Sequence, residues 1–144
     1  MIPFRAFLHN ITTEDQIATL KNVYDHLLPK GKLIMNFFYP NWDWILKNYG
    51  KTEATKIKTE NGTITILGKS EFLDEMNQIV NVECKFKKGS KIIMRNKFQL
   101  ALLYKKEFEL LLRLAGFKKW KVYGGFNYGP LKSREQEMVW VVEK

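Results

Sequence analysis

The 144-residue sequence predicts an α/β fold in which an α/β framework is interrupted by an inserted antiparallel β-sheet. Three observations predict this class. Strand and helix patterns alternate at both ends of the chain, period-2 patterns fill its middle, and the last two strands follow each other without a helix between them. We therefore expect a single domain, with a framework of residues 1–50 and 105–144 and an insertion of residues 51–104.

The N-terminal part predicts a strand, a helix and a second strand. Residues 2–8 form a short apolar run, which predicts a buried strand. Residues 13–16, Thr-Glu-Asp-Gln, are a capping box, so a helix is expected to begin there and to end at Pro29-Lys30-Gly31. Residues 33–38 are almost continuously apolar, as in a strand covered on both faces. Together these segments predict a right-handed βαβ unit with parallel strands.

The middle of the chain predicts about four antiparallel strands. Residues 55–59 and 63–67 flank Glu60-Asn61-Gly62, and an Asn-Gly pair readily takes the positive φ angles of a tight hairpin. Residues 80–86 alternate between apolar and polar side chains, and a turn at residues 88–90 returns the chain into residues 91–103. Such a sheet interrupts the α/β pattern.

The C-terminal part predicts one helix and two strands. Residues 105–115 have helical spacing, and Gly116 stands where a left-handed C-terminal cap is expected. Residues 119–123 and 137–142 predict strands joined by a segment without helical period. Since a parallel return requires a crossover of a dozen or more residues, usually helical, these strands are expected to be antiparallel.

Composition excludes several classes of protein. Cys84 is the only cysteine, so no internal disulfide and no cysteine-based metal site is expected. No apolar run approaches the length of a membrane span, which favours a cytoplasmic protein without a membrane partner. The formal charge of +9 permits a polyanionic partner. The lysines are scattered over predicted strands and turns, however, and a nucleic-acid partner is therefore not expected.

Several segments, taken in order, resemble the C-terminal part of class I S-adenosylmethionine (SAM)-dependent methyltransferases. Residues 3–9, Pro-Phe-Arg-Ala-Phe-Leu-His, are similar to the end of the fourth strand and the following loop of that family. The Leu-Leu-Pro-Lys-Gly-Lys-Leu ending of residues 14–33 and the Ala-Gly-Phe ending of residues 110–117 resemble the family's last helices. Residues 123–126 and 138–142 look like its final strands. The insertion resembles the subgroup that modifies small molecules and sugars.

The resemblance implies a Rossmann-like sheet, SAM as cofactor and methyl transfer to an unidentified small-molecule acceptor. The family's glycine-rich loop after the first strand, with the acidic residue after the second, is absent from the sequence. Gly124, Gly125 and Gly129 lie between two strands instead and predict a turn. We therefore expect either a missing N-terminal half or a homodimer, and doubtful activity for this chain alone.

Candidate site residues lie in two loops at the carboxyl ends of predicted strands, residues 4–10 and 39–44. The resemblance implies that Phe4, Arg5 and Ala6 contact the cofactor and that His9 is a catalytic base, with an ordinary exposed loop as the alternative. Trp44 belongs to a possible aromatic wall, or else to the core. The residues expected to bind the acceptor are Tyr39, Asn41, Trp42, Arg95, Tyr123 and Tyr128. No metal ligands are expected.

Two other functions remain open. A non-catalytic α/β module would use the insertion to bind a ligand or to dimerise, because missing strands leave sheet edges that pair with other chains. An RNA methyltransferase fragment is suggested only by the charge of +9. Calorimetry with SAM separates an enzyme from a binding module.

Overall fold

A computed structural model describes residues 1–60 and 62–144, which form two compact units. The framework unit comprises Met1–Asn41 and Ala101–Lys144, and the insertion unit comprises Trp42–Leu100. In chain order the elements are a 3₁₀-helix (Ala6–His9), α1 (Thr13–His26), β1 (Lys32–Phe38), α2 (Trp42–Asn48), β2 (Thr52–Thr59), β3 (Gly62–Asp74), β4 (Ile79–Lys88), β5 (Lys91–Ala101), α3 (Lys105–Leu114), β6 (Lys119–Tyr123) and β7 (Glu137–Glu143).

The framework unit is built on a three-stranded sheet with β7 in the centre, in the order β1-β7-β6. β7 is antiparallel to both neighbours, which confirms the predicted direction of the last two strands. Phe108 of α3 packs against one face of this sheet, with its ring centroid 5.0 Å from that of Phe37 and 4.8 Å from that of Trp140. All three side chains are fully buried. This face therefore carries the core of the unit.

The predicted strand at residues 2–8 is wrong beyond its first residue. Only Ile2 pairs, in an isolated parallel bridge to Met35, and its N–H donates to the carbonyl of Ile34 at 2.9 Å. Phe7 and Leu8 are buried within the 3₁₀-helix instead. A short apolar run marks burial without distinguishing strand from helix, and this one is buried as a helical turn. The direction of the bridge agrees with the predicted βαβ unit.

The ends of the framework helices follow the expected chemistry, with one shift. The N-cap of α1 is Thr12, whose hydroxyl accepts the N–H of Asp15 at 3.1 Å, so the predicted cap at Thr13 is one residue late. At the end of α3, Gly116 has a φ of +100°, as predicted. The N–H of Phe117 donates to the carbonyl of Leu112 at 3.0 Å and closes the helix.

The insertion unit confirms the predicted antiparallel sheet, whose strand order is β2-β3-β4-β5. β2 begins at Thr52 rather than at residue 55, and β3 ends at Asp74 rather than at residue 67. β5 ends at Ala101 rather than at residue 103. The predicted Asn-Gly turn falls partly on Asn61, which lies outside the described residues. α2 was not predicted and replaces the second half of the expected loop at residues 39–44. So short a helix depends on packing rather than on propensity.

Candidate functional site

Strand pairing collects polar and aromatic side chains on the sheet face opposite the framework core. Asn36 pairs with Val139, which also pairs with Tyr123, and Phe38 pairs with Glu137. Directly paired residues share a face, whereas successive residues of a strand alternate. These side chains therefore point away from Phe108, near the carboxyl ends of β1 and β6. We call Arg5, Asn36, Phe38, Tyr123 and Glu137 the framework site.

Glu137 and Arg5 form the centre of the framework site. The Arg5 Nε and Nη2 donate to Glu137 Oε1 and Oε2 at 3.0 and 2.7 Å, which makes a bidentate pair. The amide Nδ2 of Asn36 donates to Glu137 Oε1 at 2.8 Å. The Arg5 guanidinium also lies 5.2 Å from the centroid of the Phe38 ring. The Arg5 side chain is thus held by two protein groups, the Glu137 carboxylate and the Phe38 ring, and Asn36 supports the carboxylate.

The charges of this pair stabilise each other. Burial raises the pKa of Glu137, but the hydrogen bonds from Arg5 and Asn36 and the charge of Arg5 lower it more, so the pKa lies below its ordinary value. The hydrogen bond to Glu137 likewise raises the pKa of Arg5 against the opposing effect of burial. Both groups are therefore ionised at neutral pH, and Glu137 is an acceptor of hydrogen bonds, not an acid.

The backbone next to the pair has an uncommon conformation. Phe4 and Arg5 have φ angles of 55° and 62°, in the left-handed region that bulky side chains rarely occupy. Phe4 is 90% exposed, so no packing of its ring explains this conformation. A residue held in such a region costs on the order of 1–3 kcal/mol. The Arg5–Glu137 pair is the contact that ties this loop to β7.

A hydrogen-bonded loop follows β6 and carries Tyr128 next to Tyr123 of the framework site. The ring of Tyr128 lies 5.1 Å from that of Tyr123, at an interplanar angle of 89°. Gln136 organises the loop, since its Oε1 accepts the N–H groups of Lys132 and Ser133 at 2.6 and 2.9 Å. Its Nε2 donates to the carbonyl of Gly124 at 3.1 Å. Tyr128 remains 60% exposed.

The glycines of this loop do not form a cofactor cradle. A Cβ on Gly124 would lie 2.4 Å from Gln136 Nε2, so the space left by the missing side chain is filled by the protein itself. The Gly124 N–H also donates to the carbonyl of Gly129 at 2.9 Å, within the turn that the sequence predicts. Arg5, which the resemblance places next to the cofactor, is likewise engaged by Glu137.

The other predicted residues are distributed over both units. In the framework unit, Ala6 and His9 are exposed in the 3₁₀-helix. Tyr39 packs its ring at 5.5 Å from that of Tyr104. Asn41 is the last residue of the first framework segment. Arg5, Tyr123 and Tyr128 are the predicted residues that this unit brings together.

In the insertion unit, Trp42 and Trp44 have internal partners. The Trp42 ring stacks on that of Phe72, with 6.0 Å between the ring centroids. The Trp44 ring meets that of Tyr49 edge to face, with 5.9 Å between the centroids. Both tryptophans remain more than 40% exposed. Burial raises the pKa of Tyr49 to about 12. Arg95 is exposed on β5.

Sequence reasoning missed Asn36, Phe38 and Glu137. Asn36 was visible as the one polar residue within an apolar strand, and a buried amide requires a hydrogen-bond partner. Glu137 was visible only as the polar first residue of the last strand. Asn36 and Glu137 are 101 residues apart in the sequence, and Arg5 and Glu137 are 132 residues apart. Only the strand pairing brings them together.

The described part of the chain contains neither a candidate metal site nor a candidate membrane-spanning helix. Its His, Cys, Asp and Glu side chains form no group of three that could hold a metal ion. Among the same residues, no helix has both the length and the apolar character needed to cross a membrane.

Solved structures place the chain in a known fold. No protein-family model and no curated protein matches the sequence. The CcbJ methyltransferase from Streptomyces caelestis superposes with a TM-score of 0.77 at 17% identity, over 97% of this chain and 57% of that one. A SAM-dependent methyltransferase from Clostridium acetobutylicum superposes with a TM-score of 0.72 at 12% identity, over 98% of this chain and 55% of that one.

A third neighbour acts on a sugar. CalS10, an amino pentose methyltransferase from Micromonospora echinaspora whose structure contains SAM, has a TM-score of 0.68 at 14% identity, over 98% of this chain and 56% of that one. The chain therefore has the fold of SAM-dependent methyltransferases and spans little more than half their length. The resemblance stated from the sequence is confirmed at the level of the fold.

Proposed function

We propose that this chain is the acceptor-side part of a SAM-dependent methyltransferase that acts on a small molecule in the cytoplasm. The observation that carries the proposal is the framework site, which lies at the carboxyl ends of β1 and β6 on a methyltransferase fold. Ligands of open α/β sheets collect at this edge.

The residues of this chain would orient the acceptor and exclude water from it. Methyl transfer is a displacement at a carbon atom, so catalysis depends mainly on bringing the two substrates into line. The rings of Tyr123 and Tyr128 offer an amphipathic wall, and the Arg5–Glu137 pair keeps the loop before the 3₁₀-helix in place. His9, exposed in that helix, is the proposed base for an acceptor that must lose a proton.

An amino sugar is the first acceptor class to test. Two neighbours are described as an amino pentose methyltransferase and a sugar N-methyltransferase. An amine must be neutral to attack a methyl group, which gives His9 a role. Replacement of His9 by Gln is expected to slow transfer to a protonated amine and to shift its pH profile upward.

Cofactor binding is proposed to require a further segment with a glycine-rich loop, either upstream in the same protein or in a partner chain. Calorimetry with SAM should give no heat with this chain alone and measurable binding once such a segment is joined to it. Tight binding of SAM by this chain alone would contradict the acceptor-side assignment. Ligand binding by the joined protein without methyl transfer to any amine would support a non-catalytic module instead.

A homodimer is the alternative source of the missing contacts. Among the described residues, only Ile2 pairs with the outer side of β1, and such edges pair with other chains. Sedimentation at micromolar concentration tests this arrangement, and a stable monomer would exclude it.

A further inference from the structure

One face of the insertion sheet gathers lysines that are far apart in the sequence. Lys56 pairs with Thr65, which in turn pairs with Lys87, and Lys58 pairs with Thr63 in the next row. Since paired residues share a face and alternate residues of a strand return to it, the register defines a common surface. We call this surface the lysine face; its lysines are Lys56, Lys58, Lys69, Lys85 and Lys87.

The positive charge of the lysine face is uneven. Lys69 pairs with Glu71 and Lys85 with Glu83, both through neighbouring side chains of the same strand and face. Lys56, Lys58 and Lys87 make no ion pair with any described residue, and the first two are exposed. The end of the sheet near the β2–β3 hairpin therefore carries three uncompensated charges.

The spacing of these charges suits a row of phosphates. Alternate residues of a strand lie about 6.6–6.8 Å apart, and neighbouring strands about 4.8 Å apart. Lys56, Lys58 and Lys87 thus have their Cα atoms within roughly 12 Å, on stems long enough to follow a curved backbone. The hydroxyls of Thr63 and Thr65 stand between them, and such hydroxyls also bind phosphate oxygens.

The other side chains of this face decide between partners. Apart from Asn81 and the two glutamates that are paired with lysines, they are Thr, Ala and Leu, and none is aromatic. Unpaired bases need aromatic rings to stack on, and protein interfaces are centred on aromatic or arginine side chains. Lysine acts as a point charge without the fork that reads a base. A regular array of phosphates satisfies this surface better than an acidic protein does.

We propose that the lysine face binds the phosphate backbone of a nucleic-acid duplex without sequence preference. The sequence alone argued against a nucleic-acid partner because its lysines are scattered, whereas the strand register places five of them on one surface. The interaction is electrostatic, so it weakens steeply as salt is raised.

The test is fluorescence anisotropy with a labelled DNA duplex of about two helical turns, roughly 20 base pairs, titrated at several salt concentrations. The test variant replaces Lys56, Lys58 and Lys87 by Gln. The matched control replaces Lys21, Lys106 and Lys118, three exposed lysines of the framework unit, and so makes the same change in net charge. Far-ultraviolet circular dichroism confirms that both variants fold.

The test variant is expected to bind the duplex on the order of 100-fold more weakly at 0.1 M salt. The slope of the logarithm of the binding constant against the logarithm of the salt concentration should fall in magnitude by about 2.7, or about 0.9 for each lost contact. The control should stay within a few-fold of the original protein. Equal loss in both variants would overturn the proposal, because binding would then follow net charge alone. Tighter binding to the single strand, to phosphatidylserine vesicles or to polyglutamate would also overturn it. The assay needs neither SAM nor an acceptor and is independent of methyl transfer.

Discussion

Glu137 joins an arginine from the first residues of the chain to an amide in the middle of β1. Its side chain is only 20% exposed. Replacement by Gln removes the negative charge to which Arg5 and Asn36 donate hydrogen bonds. It should lower the free energy of unfolding by about 1–3 kcal/mol at neutral pH. Urea unfolding measures this change. The exposed neighbour Glu135, replaced by Gln, is the control and should leave stability within about 0.5 kcal/mol of the original.

The same substitution predicts a pH dependence. The pKa of Glu137 is lowered by folding, so its stabilisation is complete above the ordinary carboxyl pKa and is lost as the pH falls through the lowered value. The stability gap between the original protein and Glu137→Gln should therefore close as the pH is lowered from 7 to about 2. A gap that is unchanged over this range would show that the Glu137 charge contributes nothing.

Gly124 is the second residue with a specific requirement. A Cβ there would lie 2.4 Å from Gln136 Nε2 and 2.7 Å from the Pro130 carbonyl oxygen. Gly124→Ala should force the loop open, at a cost of about 1–3 kcal/mol, and should shift the amide resonances of residues 123–136. Gly129→Ala is the control, because its Cβ would meet nothing closer than 3.4 Å. Equal effects of the two substitutions would contradict the role given to Gln136.

Helix α1 offers a direct test of which threonine caps it. The sequence predicts Thr13, whereas the structure gives the hydrogen bond to Thr12. Thr12→Ala should lower the free energy of unfolding by about 1 kcal/mol. Thr13→Ala, within the first turn, should change it much less. The reverse order in a thermal or urea unfolding experiment would restore the cap expected from sequence.

Elements with a strong local signal could be predicted from the sequence, and the others could not. The hairpins of the insertion and the Gly116 cap follow from turn chemistry that is read over a few residues. The apolar run at residues 2–8 has no such signal, and it became a 3₁₀-helix because Phe7 and Leu8 are buried there. α2 depends on ring contacts with Phe72, which lies far along the chain. Arg5 and Tyr123 of the framework site were predicted, whereas Asn36, Phe38 and Glu137 lie in predicted strands and reach the site only through the pairing of β1 with β7.

At the scale of the whole molecule, the framework unit is made of two segments separated by the whole insertion unit. Tyr39, near the end of the first segment, and Tyr104, near the start of the second, hold their rings 5.5 Å apart. A short Gly-Ser linker in place of Trp42–Leu100 should therefore preserve the framework unit. Retention of the Phe37, Phe108 and Trp140 core in nuclear magnetic resonance spectra is the expected result. A spectrum without dispersed methyl resonances would contradict the independent folding of the framework unit.

The proximity of Tyr39 and Tyr104 has a consequence for the history of such genes. A block of coding sequence that leaves and returns at almost the same point can be lost, gained or exchanged in one recombination event without rebuilding what surrounds it. Descendants of one framework can then differ in a whole sheet while keeping Arg5, Asn36 and Glu137 unchanged.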